Sequence, residues 1–494
     1  MGVAGLVTGA AGLAVSFLAA AIMGLRVNPV VGVGEAVIEL TPGSLAERAI
    51  QAVGHLDKPL LITGVLLFLA VASFVAGRLA ARSDVWPQLV FLAMAGIAAA
   101  AVLTRPNAKP TDVIPVIVGG LVWIALLPAL TSRVPRIPVE PESRRRFLVL
   151  VGGVAAAAAV VGVLGRVVGH GRRRVEAARA LLRLPITQRE APAGAVVGLE
   201  GIEPWVTPSD SFYLIHTVLV APAVDPGDWQ LRIHGMVDRE LTLSYQDLLD
   251  REITESWITL NCVSNTVGGD LIGNAWWSGV RIADLLAEAG PREGADAIKQ
   301  TSHDGWTCGT PLNAVTDKER GAMLAIGMNG QPLPIEHGFP VRMIVPGLYG
   351  FVSATKWLVD IEVTRFADFK GYWSTRGWSE QAPVKLASRI DVPRYSDRVP
   401  AGTVRVGGSA WQQYVGISAV EFQLDGGPWL PATLGTAPSD ATWVQWSGSL
   451  NASPGRHTLR VRATSKDGQT QTPVVARPDP DGATGWHTIE FTAT

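Results

Sequence analysis

WITLNCVSNTVGGDLIGNAWWSG, residues 257–279, joins an apolar run to a loop of glycines and asparagines, with Cys262 at the junction. WITLNC reads as a strand that stops at this cysteine. One other cysteine, Cys308, occurs in the 494 residues. Taken alone, a buried apolar thiol is the ordinary explanation for Cys262. Two cysteines make no disulfide framework, although one Cys262–Cys308 bridge is formally open. The rest of the chain decides between a core thiol and a chemically active one.

The charges nearly cancel, at a formal net of −1, so the nucleic-acid footprint of a basic face is missing. That average hides a strong asymmetry. Residues 1–25, 59–77, 86–103, 113–130 and 147–165 carry no charged side chain. At 1.5 Å rise per residue, each is about long enough to cross a hydrocarbon core. A soluble bundle would show polar faces at helical period, and these segments show none. The reading is a transmembrane domain over 1–170 with five helices, at about 3–25, 59–77, 86–103, 113–130 and 147–168.

With the N-terminus in the cytoplasm, the inside loops 78–85 and 131–146 hold Arg78, Arg82, Arg133, Arg136, Arg144, Arg145 and Arg146. The longer outside loops, 26–58 and 104–112, hold Arg26, Arg48, Lys58, Arg105 and Lys109. The positive-inside rule thus favours a cytoplasmic N-terminus, and five spans place everything after residue 170 outside. SRRRFLVLVGG (143–153) also resembles a twin-arginine export signal, which carries domains across already folded. Arg172, Arg173 and Arg174 stand against this orientation. Residues 172–184 read as a helix leading away from the membrane, within a linker, 171–198, that becomes rich in Pro and Gly.

From about 199 the chain becomes mixed α+β. WQLRIHGMV (229–237) alternates as a strand, TLSYQDLLD (242–250) reads as a short capped helix, and VRIADLLAEAG (280–290) as an amphipathic helix closed by Gly290. From about 386 the pattern is purely β, with runs such as TVRVGG, AVEFQLDGG and HTLRVRAT between turn residues. That spacing suggests an immunoglobulin-like sandwich without its disulfide. No CxxC, HExxH, GxSxG or Walker-type motif is present.

Five pieces stand in a recognisable order: the Cys262 strand and loop, MNGQPLPIEHGFPVRMIVPGLYG, the TKW that follows, GYWSTRGWSEQAPVKLASRID, and the β-rich tail. Together they resemble the sulfite-oxidase-type molybdopterin enzymes over roughly 199–494, about three-fifths of the chain. The resemblance implies a molybdopterin-binding domain at 199–385, an immunoglobulin-like dimerisation domain at 386–494, and a molybdenum–molybdopterin cofactor whose metal is bound by Cys262. A soft, electron-donating thiolate suits molybdenum in both oxidation states, and the loop glycines would let the backbone approach a bulky cofactor. Cofactor contacts carried over are Tyr213, Leu214, Ile215, His216 and Thr217 in FYLIHT, Ser302 or Asp304, His337 and Arg342 in HGFPVR, and Ala354, Thr355 and Lys356. Trp378 takes the place of the family's active-site tyrosine, and Cys308 matches no ligand position and reads as structural.

The resemblance also shows departures. Ile215 stands where the sulfite oxidases have an arginine, and the Thr266–Val267 region stands where they have a second. A small dianion beside an oxo-metal calls for convergent cations, so the expected substrate is small but not sulfite. The expected reaction is oxygen-atom transfer outside the cytoplasm; the alternatives are reduction, as in the related exported methionine-sulfoxide reductases, and a non-catalytic surface binding module. The predicted spans contain no histidine, so no haem is expected. Electrons would come from a separate cytochrome or quinone-linked carrier. The other expected partners are membrane lipid and, through the C-terminal domain, a second copy.

Overall fold

The computed structural model describes residues 1–42, 56–105, 108–132 and 171–494, with isolated positions between these ranges. They form two compact units, one of Met1–Ala178 with His216–Ala223, the other of Arg179–Ile215 with Val224–Thr494.

The first unit contains α1 (Gly2–Ile22), α2 (Pro29–Leu40), α3 (Asp57–Leu79), α4 (Val85–Leu103) and α5 (Ile114–Thr131), the last preceded by a 3-10 turn, Pro110–Val113. Four helical stretches, Gly2–Ile22, Asp57–Leu79, Val85–Leu103 and Pro110–Thr131, are long and apolar enough to cross a membrane. They match four of the five expected spans to within a few residues. The fifth, 147–168, and the SRRRFL motif lie outside the described residues.

Outward side chains such as Leu67, Phe68, Ile97 and Leu121 are more than half exposed, as lipid-facing residues should be. Helix α1 carries small residues that let its neighbours approach. A Cβ on Gly12 would lie 2.2 Å from Trp123 Nε1 and 2.7 Å from the Gly119 carbonyl oxygen on α5. The Trp123 indole donates to the Gly9 carbonyl at 3.1 Å.

One correction concerns residues 26–58, expected to be a loop. They hold α2, started by Asn28, whose side chain accepts from Val31 N, and by Pro29 at the first turn. His216–Ala223 packs in this unit beside α2 and α3. Lys58 Nζ donates to the carbonyls of His216 and Val218, each at 3.0 Å, and Arg26 donates to that of Val220 at 2.9 Å.

A further helix, α6, is Gly171–Leu181. In the second unit the strands begin with β1 (Gln230–Gly235), β2 (Leu241–Ser244), β3 (Thr254–Asn261), β4 (Ile272–Arg281) and β5 (Ala297–Ser302). There follow β6 (Thr307–Pro311), β7 (Met323–Met328), β8 (Gln331–Pro332), β9 (Arg342–Ile344) and β10 (Leu358–Thr364). Short helices α7 (Tyr245–Leu249), α8 (Ile282–Ala289), α9 (Leu312–Thr316) and α10 (Gly350–Ser353) lie between them. One sheet has the order β2-β1-β10-β5-β6, the other β3-β4-β7-β8 with β9 on β7. Helix α7 starts on a Ser244–Asp247 capping box, and α8 ends at Gly290 in the left-handed region, both legible in the sequence.

The C-terminal region adds β11 (Ala387–Val392), β12 (Arg398–Val399), β13 (Gly402–Trp411), β14 (Ile417–Leu424) and β15 (Leu430–Pro431). It closes with β16 (Thr433–Leu434), β17 (Val444–Ala452), β18 (Gly455–Ser465) and β19 (His487–Ala493). Two sheets, β11-β13-β17-β16 and β12-β19-β18-β14-β15, share one apolar core around Phe422, Trp446 and Phe491. Trp411 and Trp443 instead join the core of the preceding α+β region, so the two regions fold as one body.

Candidate cofactor site

Strand β3 carries the site's thiol, and its last five residues, Trp257 to Asn261, are all buried. Its free edge is covered, because Thr259 N donates to the Ala441 carbonyl (2.9 Å) and Trp443 N to Thr259 Oγ1 (2.8 Å). The strand gives way at Cys262 to a tight loop. Cys262 N donates to Leu271 O, Asn265 N to Cys262 O, and Leu271 N to the Asn265 side chain. Two glycines of this loop face the C-terminal sheets. A Cβ on Gly268 would lie 2.2 Å from His487 Nε2, and Arg389 donates to the Gly269 carbonyl at 3.0 Å. They let the loop lie against the C-terminal sheets.

The Cys262 thiol is buried, and burial pushes its pKa up, opposed by hydrogen bonds from Ser264 and by the charge of Lys356. It is therefore protonated at neutral pH unless a metal replaces the proton, which suits a ligand better than a free nucleophile. Among the described residues no three His, Cys, Asp or Glu side chains gather as a metal site. A metal on Cys262 needs further ligands from a bound organic group.

Around the thiol stand residues from four separate segments. Phe212 packs edge-on against Trp277 and His337, which fixes Tyr213 beside it. Tyr213 is half-buried, and its phenol is held well above the usual range by burial and then by Cys262. Gly350, at the start of α10, brings the chain close, since a Cβ there would lie 3.6 Å from the Tyr213 hydroxyl and 3.7 Å from Asn261 O. His337 Nε2 donates to the Ser209 carbonyl at 3.0 Å, which leaves Nδ1 as an acceptor. Burial, then Lys356 and Arg342, hold its pKa down to about 3, so the ring is neutral.

Arg342, on β9 opposite Ala325, is 4% exposed. It donates to the carbonyls of His337 (3.1 Å) and Ala354 (3.3 Å) and lies over the Trp277 ring. Burial lowers its pKa to about 10, and no carboxylate pairs with it among the described residues. Lys356 donates to the Ile215 carbonyl at 3.2 Å.

Four buried polar atoms of this region, His337 Nδ1, Arg342 Nε, Asn261 Oδ1 and Ser302 Oγ, have no hydrogen-bond partner among the described residues. Orphaned buried polar groups are costly and uncommon in native proteins. Two acceptors, a cationic donor and a hydroxyl fit a polar, anionic ring system such as a pterin phosphate.

The other expected residues divide. Ala354 and Thr355 are buried beside Arg342, with Thr355 O accepting from Met343 N. Asp304 lies in the β5–β6 turn and accepts from Trp306 N. Leu214 and Ile215 are exposed, whereas His216 and Thr217 belong to the other unit. Trp378 is buried between Phe351 and Trp373, with ring centroids 5.9 and 6.2 Å away, which gives the indole a packing role. Cys308 was read as structural, and Tyr349 escaped sequence reasoning. Cys308 Sγ lies 3.2 Å from Thr355 Oγ1, behind the expected cofactor contacts. Buried Tyr349 has its phenol pushed up to about 12, chiefly by burial, with Cys262 contributing. Its only signal was its place in the PGLYG run.

Residues 218–373 match the oxidoreductase molybdopterin binding domain family. Mitochondrial sulfite oxidase of Macaca fascicularis is 30% identical over 312 residues, covering 54% of this chain and 56% of that enzyme. The uncharacterized oxidoreductase YuiH of Bacillus subtilis (strain 168) is 35% identical over 168 residues, 34% of this chain and 81% of that protein. The chain belongs to the sulfite-oxidase-type molybdopterin oxidoreductases. It spans only about half the length of the mitochondrial sulfite oxidases it matches. Among solved structures of this fold, the sulfane dehydrogenase SoxCD of Paracoccus pantotrophus superposes with a TM-score of 0.51 at 23% identity, over 62% of this chain and 86% of that one. The matched family region, beginning at Val218, takes in Cys262, Ser302, His337, Arg342 and Thr355, but not the FYLIHT segment up to Thr217.

Proposed function

We propose that the protein is a membrane-anchored molybdenum-cofactor oxidoreductase that transfers an oxygen atom to or from a small substrate other than sulfite. The observation that carries this reading is that Lys356 acts on both Cys262 and His337, beside the orphaned atoms of His337, Arg342 and Asn261. The cofactor, when bound, supplies two-electron oxygen-atom-transfer chemistry. Cys262 holds the metal. Arg342 Nε, His337 Nδ1 and the Ser302 hydroxyl bind the pterin's polar groups, with Thr355 and Lys356 beside them, and Tyr213, Tyr349 and Trp378 close the metal side from water. A binding module without cofactor would have no use for these unsatisfied groups.

With Arg342 and Lys356 assigned to the pterin, the remaining cations support a neutral substrate. Lys385 is paired with Asp481, Arg376 lies on the Tyr372 ring, and Ile215 brings no charge. Each charge-assisted hydrogen bond to an anion is worth about 1.5–3 kcal/mol. Lacking two arginines, the site should oxidise sulfite roughly a hundred- to ten-thousand-fold less efficiently than a dedicated enzyme. A sulfoxide or N-oxide suits such a pocket better, which favours reduction as the second reading. The test is steady-state turnover of loaded enzyme on sulfite and on neutral oxo-acceptors, with artificial dyes as electron partner. Sulfite oxidation at tens per second or more, within the usual enzymatic range of roughly 1–1000 per second, would overturn the substrate reading.

We further read the protein as a multi-pass cell-membrane protein with a cytoplasmic N-terminus and an exported catalytic region. Parity supports an odd number of crossings. His216–Ala223 packs at the end of the bundle where α1 and α4 finish, near Arg26 and Lys58, whereas α5 finishes at Thr131 at the opposite end. The C-terminal region is read as immunoglobulin-like, supported by its strand orders, which follow the A-B-E-D and G-F-C arrangement of such domains. A homodimer through that region and a separate electron carrier complete the proposal.

A further inference from the structure

We propose that Lys58, with Arg26 and Glu35, is a positioning residue for His216–Ala223, the stretch of chain that follows directly on Tyr213 and Ile215. This inference rests on the cofactor reading above. Residues 216–223, HTVLVAPA, form no regular helix or strand, so their backbone groups need partners from elsewhere. The membrane unit supplies them. Lys58 Nζ takes the carbonyls of His216 and Val218, Arg26 takes that of Val220, and the Glu35 carboxylate accepts from Leu219 N at 3.4 Å. Arg26 and Glu35 themselves pair at 3.5 Å.

Apolar packing completes the grip. Val218 and Ala221 are buried, and a Cβ on Gly34 of α2 would lie 2.6 Å from Leu219 Cδ1. One peptide bond earlier, the Ile215 carbonyl is taken by Lys356. Two lysines thus fix successive carbonyls, Lys356 from the cofactor region and Lys58 from the membrane bundle. Tyr213 lies only three residues before His216, which leaves little slack.

The experiment uses the full chain in lipid nanodiscs and compares Lys58→Met, which removes both donors, with Lys58→Arg, which keeps the charge and can donate. Amide hydrogen exchange is followed at 213–223 and in α1 and α5, and pterin and molybdenum retained after dialysis are measured in parallel. Lys58→Met should speed exchange at 213–223 by about tenfold or more, the scale of a lost charge-assisted hydrogen bond. Exchange in α1 and α5 should stay unchanged, retention of pterin should fall, and arginine should restore most of both. Unchanged exchange at 213–223 would overturn the proposal, as would equal acceleration throughout α1 and α5. The amide readings hold for protein with or without molybdenum, so failure of the cofactor reading is seen separately.

Discussion

Arg342 is a cation with no carboxylate beside it among the described residues, held by two carbonyl oxygens and an aromatic face. A buried charge satisfied so thinly destabilises the empty fold and is explained by an anionic ligand. Arg342→Met should therefore stabilise the cofactor-free protein, because it removes a buried charge that no counter-charge offsets. The same variant should retain no pterin. Thermal melts of cofactor-free wild type and variant check the first statement, and pterin fluorescence after purification checks the second. At this scale Cys262, His337 and Arg342 were legible because each sits in a motif that fixes its neighbours. The place of Cys308 against Thr355 was not, since β6 and the residues after α10 are brought together by the fold across some 47 positions of sequence.

Elements bring in contacts that local patterns do not announce. His487, at the start of β19, accepts from Ile390 N through Nδ1 at 2.9 Å and backs the Gly268 turn of the Cys262 loop. Burial and then Arg389 lower its pKa to about 4. Between pH 4 and its unfolded value of about 6.5, the unfolded chain binds a proton that the folded chain does not. Stability from this group is therefore present above that window and is lost as pH falls through it, by up to about 3 kcal/mol. His487→Gln keeps an acceptor but cannot titrate, so chemical denaturation of wild type and variant at pH 7 and pH 4 should show a shallower loss in the variant. Equal losses would remove His487 from the account. His337 titrates in the same direction in both proteins, so the difference between them isolates His487.

In the membrane unit, Gly12→Val would drive a side chain into Trp123 and the Gly119 carbonyl. Overpacking of this kind costs about 1–3 kcal/mol, and small residues are what let such helices meet. Thermal inactivation in detergent should come earlier than in Gly96→Val, where an added Cβ meets nothing within 4 Å. Helix α1 itself was plain from its lack of charge. Helix α2 was hidden because attention to charge-free length passes over a segment holding Glu35 and Glu39, although Asn28-Pro29 is a recognisable helix start.

For the molecule as a whole, the two units part between Ala178 and Arg179, with one exception, His216–Ala223, which joins the N-terminal unit. That exception could not be read from pattern: an apolar segment with no periodicity looks alike whether it packs on a sheet or beside membrane helices. Likewise the boundary near residue 386 marks a change from mixed to pure β structure, yet Trp411 and Trp443 tie both sides into one core. The central claim is that this body exists to hold a molybdenum cofactor on Cys262. Its most direct test is metal and pterin analysis of full-length protein from cells able to make the cofactor, beside Cys262→Ser, whose hydroxyl is too weakly acidic to replace a thiolate. The account predicts about one molybdenum and one pterin per wild-type chain, with molybdenum lost in the variant. Wild-type protein free of both, or a serine variant that keeps its full molybdenum, would contradict it.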